Sequence, residues 1–133
     1  MANFPLSNLV NGEKLRGVAA FGTEGVPLAA AFSAGGVLSA AVVLDSAIPV
    51  RLSLPEGFNG TSVEFQTSHD GATFNDLYDE DGQKVAVAVA ASRDIRLWPA
   101  DWIGIKAFKL RAMTGAVAQA QDASRSVVVV AVP

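Results

Sequence analysis

The stretch "AIPVRLSLPEGFNGTSVEFQTS" (47–68) decides the fold. In its first half Val50, Leu52 and Leu54 alternate with Arg51 and Ser53. In its last third Val63 and Phe65 share one face, with Glu64 and Gln66 on the other. A period of two marks a half-buried strand, because successive side chains on extended backbone point to opposite faces. "PEGFNG" between them gathers the residues that punctuate turns. The local unit is strand, turn, strand.

The same grammar extends in both directions. Downstream come "TFNDLY" (73–78) and "KVAVAVAA" (84–91), the latter with Val85, Val87 and Val89 on one side and alanines on the other, which predicts cover on both faces or close packing against a partner. "RDIRLW" (93–98) and "GIKAFKLRAM" (104–113) follow, the second changing parity near Ala107, where a bulge is expected. "SRSVVVVAV" (124–132) is apolar on both faces, as a central strand would be. Between them "PADWIG" (99–104) predicts one helical turn, begun by Pro99 and ended by Gly104, and "GAVAQAQDAS" (115–124) a loop or single turn. Many short strands with no long helical period predict an all-β fold, an antiparallel β-sandwich of jelly-roll type.

One stretch competes with that reading. "GVPLAAAFSAGGVLSAAVVL" (25–44) runs twenty positions without a charge, the length of a membrane span. Its eight Val, Leu and Phe residues favour insertion by only about −0.3 to −0.6 kcal/mol each, and Pro27, two serines and three glycines oppose it. Two core strands joined at Ala34-Gly35-Gly36 account for it better. Residues 1–24 alternate weakly and predict an arm or added edge strand, leaving 25–133 as the sandwich domain.

Composition narrows function. With 133 residues the chain suits one domain, and with no cysteine it has no thiolate chemistry, disulfide or cysteine-type zinc site. A formal charge of −3 with sparse basic residues gives no nucleic-acid footprint. The N-terminus has no positive region ahead of an apolar run, so no secretory signal is expected.

The only histidine lies in "SHDGATFNDLYDEDG" (68–82), with five acidic residues. Ser68, His69 and Asp70 are adjacent, so they cannot converge as a triad does. Taking Gly82 as the glycine of a calcium-binding helix-loop-helix puts Leu77 and Ala88 at ligand positions, so that motif fails. Asp79 and Asp81, with loop carbonyls, are the one metal candidate, and they are a weak one. Asp-Gly is a hairpin pair, and both "HDGA" and "DEDGQ" predict turns, the second with Asp79 capping its amides. No enzyme and no cofactor are expected. Trp98 and Trp102, four apart across "WPADW", are expected to pack in or at the edge of the core, or else to anchor a sugar or a protein.

The order of features across residues 33–133 adds a resemblance. The run "SAGGVLSAAVVLDSAIPVRLSLPEGFNGTSVEFQTSHDGATFNDLYDEDGQKVAV", then Arg93, "PADWIG", "FKLR" and "VAQAQDASR", resembles a family of small β-sandwich virion structural proteins of tailed bacteriophages. Residues 1–32 lie outside it. "SHDGATF" and "FKLR" are also similar to discoidin-like galactose-binding jelly rolls, as a marker of fold and not of ligand. The phage resemblance implies a capsid decoration or cement protein on the virion surface, made in the bacterial host cytoplasm. Its partners would be the major capsid protein and further copies of itself, with no nucleic acid or membrane. Phe4, Leu6, Leu9, Lys14 and Arg16 of the arm, with Trp98 and Trp102, are the residues expected to carry attachment. The alternative is a carbohydrate-binding module of a tail or fibre.

Overall fold

The computed structural model describes residues 25–133 throughout and, ahead of them, only the backbone of Leu9–Val10 and Gly12–Glu13. The side chains of Phe4, Leu6, Leu9, Lys14 and Arg16, expected to attach the arm, lie outside the described residues. From Val26 onward the strands are β1 (Val26–Phe32), β2 (Val42–Val43), β3 (Ile48–Ser53), β4 (Ser62–Ser68) and β5 (Asn75–Asp76). They continue as β6 (Ala86–Ala88), β7 (Asp94–Arg96), β8 (Ala107–Thr114), β9 (Val117–Ala118) and β10 (Arg125–Val132).

These strands form two antiparallel sheets facing one core, the all-β sandwich that period-two patterning predicts. One sheet has four strands in the order β1-β10-β3-β7. The other has six, with β9-β8-β4-β5 in sequence, β2 also on β8 and β6 also on β4. The central β10 buries Val127, Val129 and Ala131, while Val128 faces outward and is partly exposed. Opposite, β8 and β4 bury Phe108, Leu110 and Ala112 with Val63 and Phe65. Phe65 and Phe108 meet Trp102 edge-on or tilted, at centroid distances of 4.9 and 4.8 Å.

The reading of 25–44 holds, and three other expectations need correction. The 25–44 run supplies a core strand on each side of Gly35-Gly36, as expected, and the two lie in different sheets: β1 joins β10, whereas Leu38 and β2 join β8. The turn therefore carries the chain from one sheet to the other. Around Ser39 the second strand is broken, and the Ser39 hydroxyl accepts the Leu110 N–H at 2.9 Å in place of a ladder bond.

The bulge is elsewhere. From Ala107 to Met113 the β8–β4 register is unbroken. The shift falls instead between Val130 and Ala131, which pair with Arg51 and Pro49 and leave Val50 as the extra residue. Pro49 explains it, since a proline has no N–H for a ladder and is tolerated in strands at bulges. As a result Pro49 and Leu52 point inward, not Val50 and Leu52.

The alanine face of 84–91 is not covered. Val85 and Val87 pack against the core, while Ala86 and Ala88 face water. Lastly, Val117–Ala118 is strand, not loop, and returns on β8 through a tight turn at Gly115, φ 62°. The helical turn is as expected: Pro99–Trp102 is a 3₁₀ turn with proline at its start, and Gly104 (φ 86°) follows.

Candidate functional site

The acidic stretch resolves into turns. The Asp70 carboxylate accepts the Ser68 hydroxyl at 2.9 Å and the N–H groups of Ala72 and Thr73 at 2.8 and 2.9 Å. The Ser68 hydroxyl in turn accepts the Gly71 N–H at 2.8 Å. Those backbone donors, from Thr73 first and Ala72 next, hold the Asp70 carboxyl well below the usual carboxylate range. Asp79 caps the next turn, its carboxylate accepting the Asp81 and Gln83 N–H groups at 2.9 Å each. Gly71 and Gly82 take φ of 83° and 80°, as the Asp-Gly reading requires. Asp70 and Ser68 are thus occupied with each other and with backbone.

Near the second turn, Asp101 feels both burial and the negative charges of Glu80 and Asp79, and its carboxyl is pushed up from the ordinary value. Among the described residues no group of three or more His, Cys, Asp or Glu side chains is placed to hold a metal ion. A folded-state value above the unfolded one means ionised Asp101 opposes folding, and that opposition disappears as pH falls below the unfolded value. Asp101→Asn should therefore be stabilising at pH 7, by less than about 1 kcal/mol for so solvated a group, and neutral near pH 3. Thermal melts of both proteins across that range would measure it; a gap that widens toward acid would contradict the assignment.

On the outer face of the six-stranded sheet lies a four-charge cluster. Arg111 pairs with Glu64 and Asp76, each at 3.3 Å, and Lys84 with the same two at 3.4 and 3.5 Å. The strands dictate this, since Glu64 lies opposite both Arg111 and Ala86 in register. Partial burial alone would raise Asp76, but hydrogen bonds from Arg111 and Gln66 and the charges of Arg111 and Lys84 outweigh it and hold the carboxyl low. Opposite charges in register brace a sheet. This cluster is structural, and sequence reading missed it because its members are scattered over 48 positions (64–111).

The tryptophans part company. Trp102 is 2% exposed and belongs to the core, so it offers no surface to a partner. Trp98 is 70% exposed, contrary to the expected packing of the two together. Alternation places it outward on the same face as Arg96, while Leu97 between them is buried.

Apolar surface gathers at the end of the sandwich where residue 25 enters. Val26, Val43 and Ile103 are 49, 52 and 73% exposed. Two clefts open there, on either side of the Leu44–Ala47 turn. One, of about 310 Å³, is lined by Val26, Leu28, Val43 and Pro133; the other, of about 560 Å³, by Ile48, Trp102, Ile103 and Ile105. The turn between them puts Asp45 and Ser46 at φ of 49° and 72°, closed by Ala47 N–H to Leu44 O at 2.8 Å. Two consecutive non-glycine residues in the left-handed region carry strain, and strained turns gather at binding sites. The signal available in the sequence was "VVLDSAI" (42–48), where apolar residues stand directly beside a turn.

No family model, no curated protein and no solved structure matches this chain.

Proposed function

We propose that this protein is a virion structural protein, a capsid decoration or cement protein that bridges capsomers of a tailed-phage head, assembled with further copies of itself. The observation that carries the reading is the exposed apolar end at Val26, Val43 and Ile103, with a cleft on either side of the Leu44–Ala47 turn. Stable attachment calls for roughly 1,200 Å² of buried surface, to which an arm can add. Twenty-four residues can reach at most about 80 Å, enough to add contacts on a neighbouring subunit. The motif order over 33–133 supplies the viral context.

Counting this chain in purified virions tests the proposal. Hundreds of copies, comparable with the shell subunit, are expected, together with lower occupancy for a 25–133 truncation. Complete absence from the particle would refute it, and a few copies would move the protein to a tail or fibre. That second reading, a carbohydrate-binding module, is favoured by one observation: Trp98 stands exposed beside a cleft edged with arginine.

A further inference from the structure

The bulge at Val50 has a consequence for the outer face of the four-stranded sheet. It sets Arg51 outward and directly opposite Arg96 across the β3–β7 ladder. Both arginines are exposed, and among the described residues neither guanidinium is ion-paired with a carboxylate. Like charges directly opposite one another on adjacent strands cost stability. The pairing contributes nothing to the fold that alanine would not, unlike Arg111, which joins two carboxylates on the other sheet.

Beside the pair stands Trp98, two residues beyond Arg96 and on the same face. Together Val50, Arg51, Arg96, Leu97, Trp98 and Pro99 line a cleft of about 550 Å³. That lies within the roughly 300–1,000 Å³ range of small-ligand sites. An exposed indole presents a flat face for stacking, and guanidiniums present forks that match a carboxylate. An extended peptide would need a longer edge to add to: β7 has three residues and is followed by Pro99. A compact anion with an apolar face fits better than an acidic protein segment.

We infer that this cleft binds an acidic sugar, its ring stacked on Trp98 and its carboxylate held between Arg51 and Arg96. The inference rests on the carbohydrate-binding reading and sharpens it to one class of glycan. It takes Trp98 from the sequence, but the arginine pair and the sign of the ligand come from the strand register. Asp94 lies on the same face one pleat from Arg96, opposite Ser53, and sets the limit of the positive patch.

The test uses the full chain and three probes: trigalacturonate, its neutral counterpart galactotriose, and tetraglutamate. Binding is read by calorimetry and by tryptophan emission, where Trp98 responds and buried Trp102 gives a fixed background. Trigalacturonate should bind saturably and more weakly as salt rises. Arg51→Ala and Arg96→Ala should each weaken it by about tenfold or more, and Trp98→Ala should do likewise. Asp94→Asn should tighten it. Neither arginine variant should lower the melting temperature, which separates loss of a ligand from loss of the fold.

Equal binding of galactotriose would overturn the acidic class while leaving sugar binding intact. Binding of tetraglutamate as tight as trigalacturonate would make the patch a site for acidic protein segments. Binding unaffected by the arginine variants would refute the site. No binding to any sugar would defeat both this inference and the carbohydrate reading.

Discussion

Gln121→Leu should lower stability by about 2–4 kcal/mol, as a downward shift of the urea midpoint with an unchanged slope. Gln121 is 1% exposed, and its amide is engaged at both ends: it accepts the Asn59 N–H at 2.9 Å and donates to the Asn59 carbonyl at 2.7 Å. Its backbone closes a second junction, donating to Gly36 O at 3.1 Å and accepting from Gly35 N at 2.7 Å. One residue thus ties together the sheet crossing at Gly35-Gly36 and the loop around Asn59. Leucine of similar size would leave both Asn59 groups unpaired, at about 1–3 kcal/mol each. Gln121→Glu provides the sharper test. An ionised glutamate can still accept from Asn59 N–H but cannot donate to its carbonyl, so the variant should be unstable at pH 7. Protonation restores the donor, so much of the loss should be regained near pH 4. A leucine variant within about 0.5 kcal/mol of the parent would show that the Asn59 groups find water instead.

Nothing in the sequence around 121 announces that role. "VAQAQDAS" (117–124) reads as a polar connection, and either glutamine could have faced solvent. The tie exists only because a residue 62 positions away comes to meet it. Strands were legible where one side chain in two is apolar, as in Val63/Phe65 and Val127/Val129, since that pattern reports burial locally. The turns at Gly71 and Gly82 were legible for the same reason: their chemistry is contained within four or five residues. What escaped was set by register. Arg51 faces Arg96, and Glu64 faces Arg111, only after the sheets are assembled. The proline that displaced the bulge to Val50 was visible, but its effect on Arg51 depends on where β10 pairs. Trp98 and Trp102 look equivalent in "WPADW", yet the 3₁₀ turn between them sends one inward and leaves the other in water.

That inward tryptophan defines the last expected result: Phe65→Ala should cost about 3–5 kcal/mol, a large part of the roughly 5–15 kcal/mol that holds a small domain together. Phe65 lies at the centre of the core, 2% exposed, perpendicular to Trp102 at 4.9 Å and edge-on to Phe108 at 6.5 Å. Alanine removes one ring from a cluster of three in which Trp102 also stands against Phe108 at 4.8 Å. Phe108 is held by the continuous β8–β4 ladder, and Trp102 by the proline-started turn, so neither can close the gap freely. The cost should therefore include most of the cavity and not only the lost transfer energy. Emission spectra supply an independent reading. In a Trp98→Phe background the one remaining indole is Trp102, and Phe65→Ala should shift its emission to the red as water reaches it. Phe65→Leu fills much of the volume and should lose well under half as much stability, with little spectral change. Should Phe65→Ala cost less than about 1 kcal/mol with no red shift, Trp102 would not be packed against Phe65. The 3₁₀ turn would then hold to the core through Phe108 without Phe65, and Trp98, which it positions, would be less firmly placed beside the arginine pair.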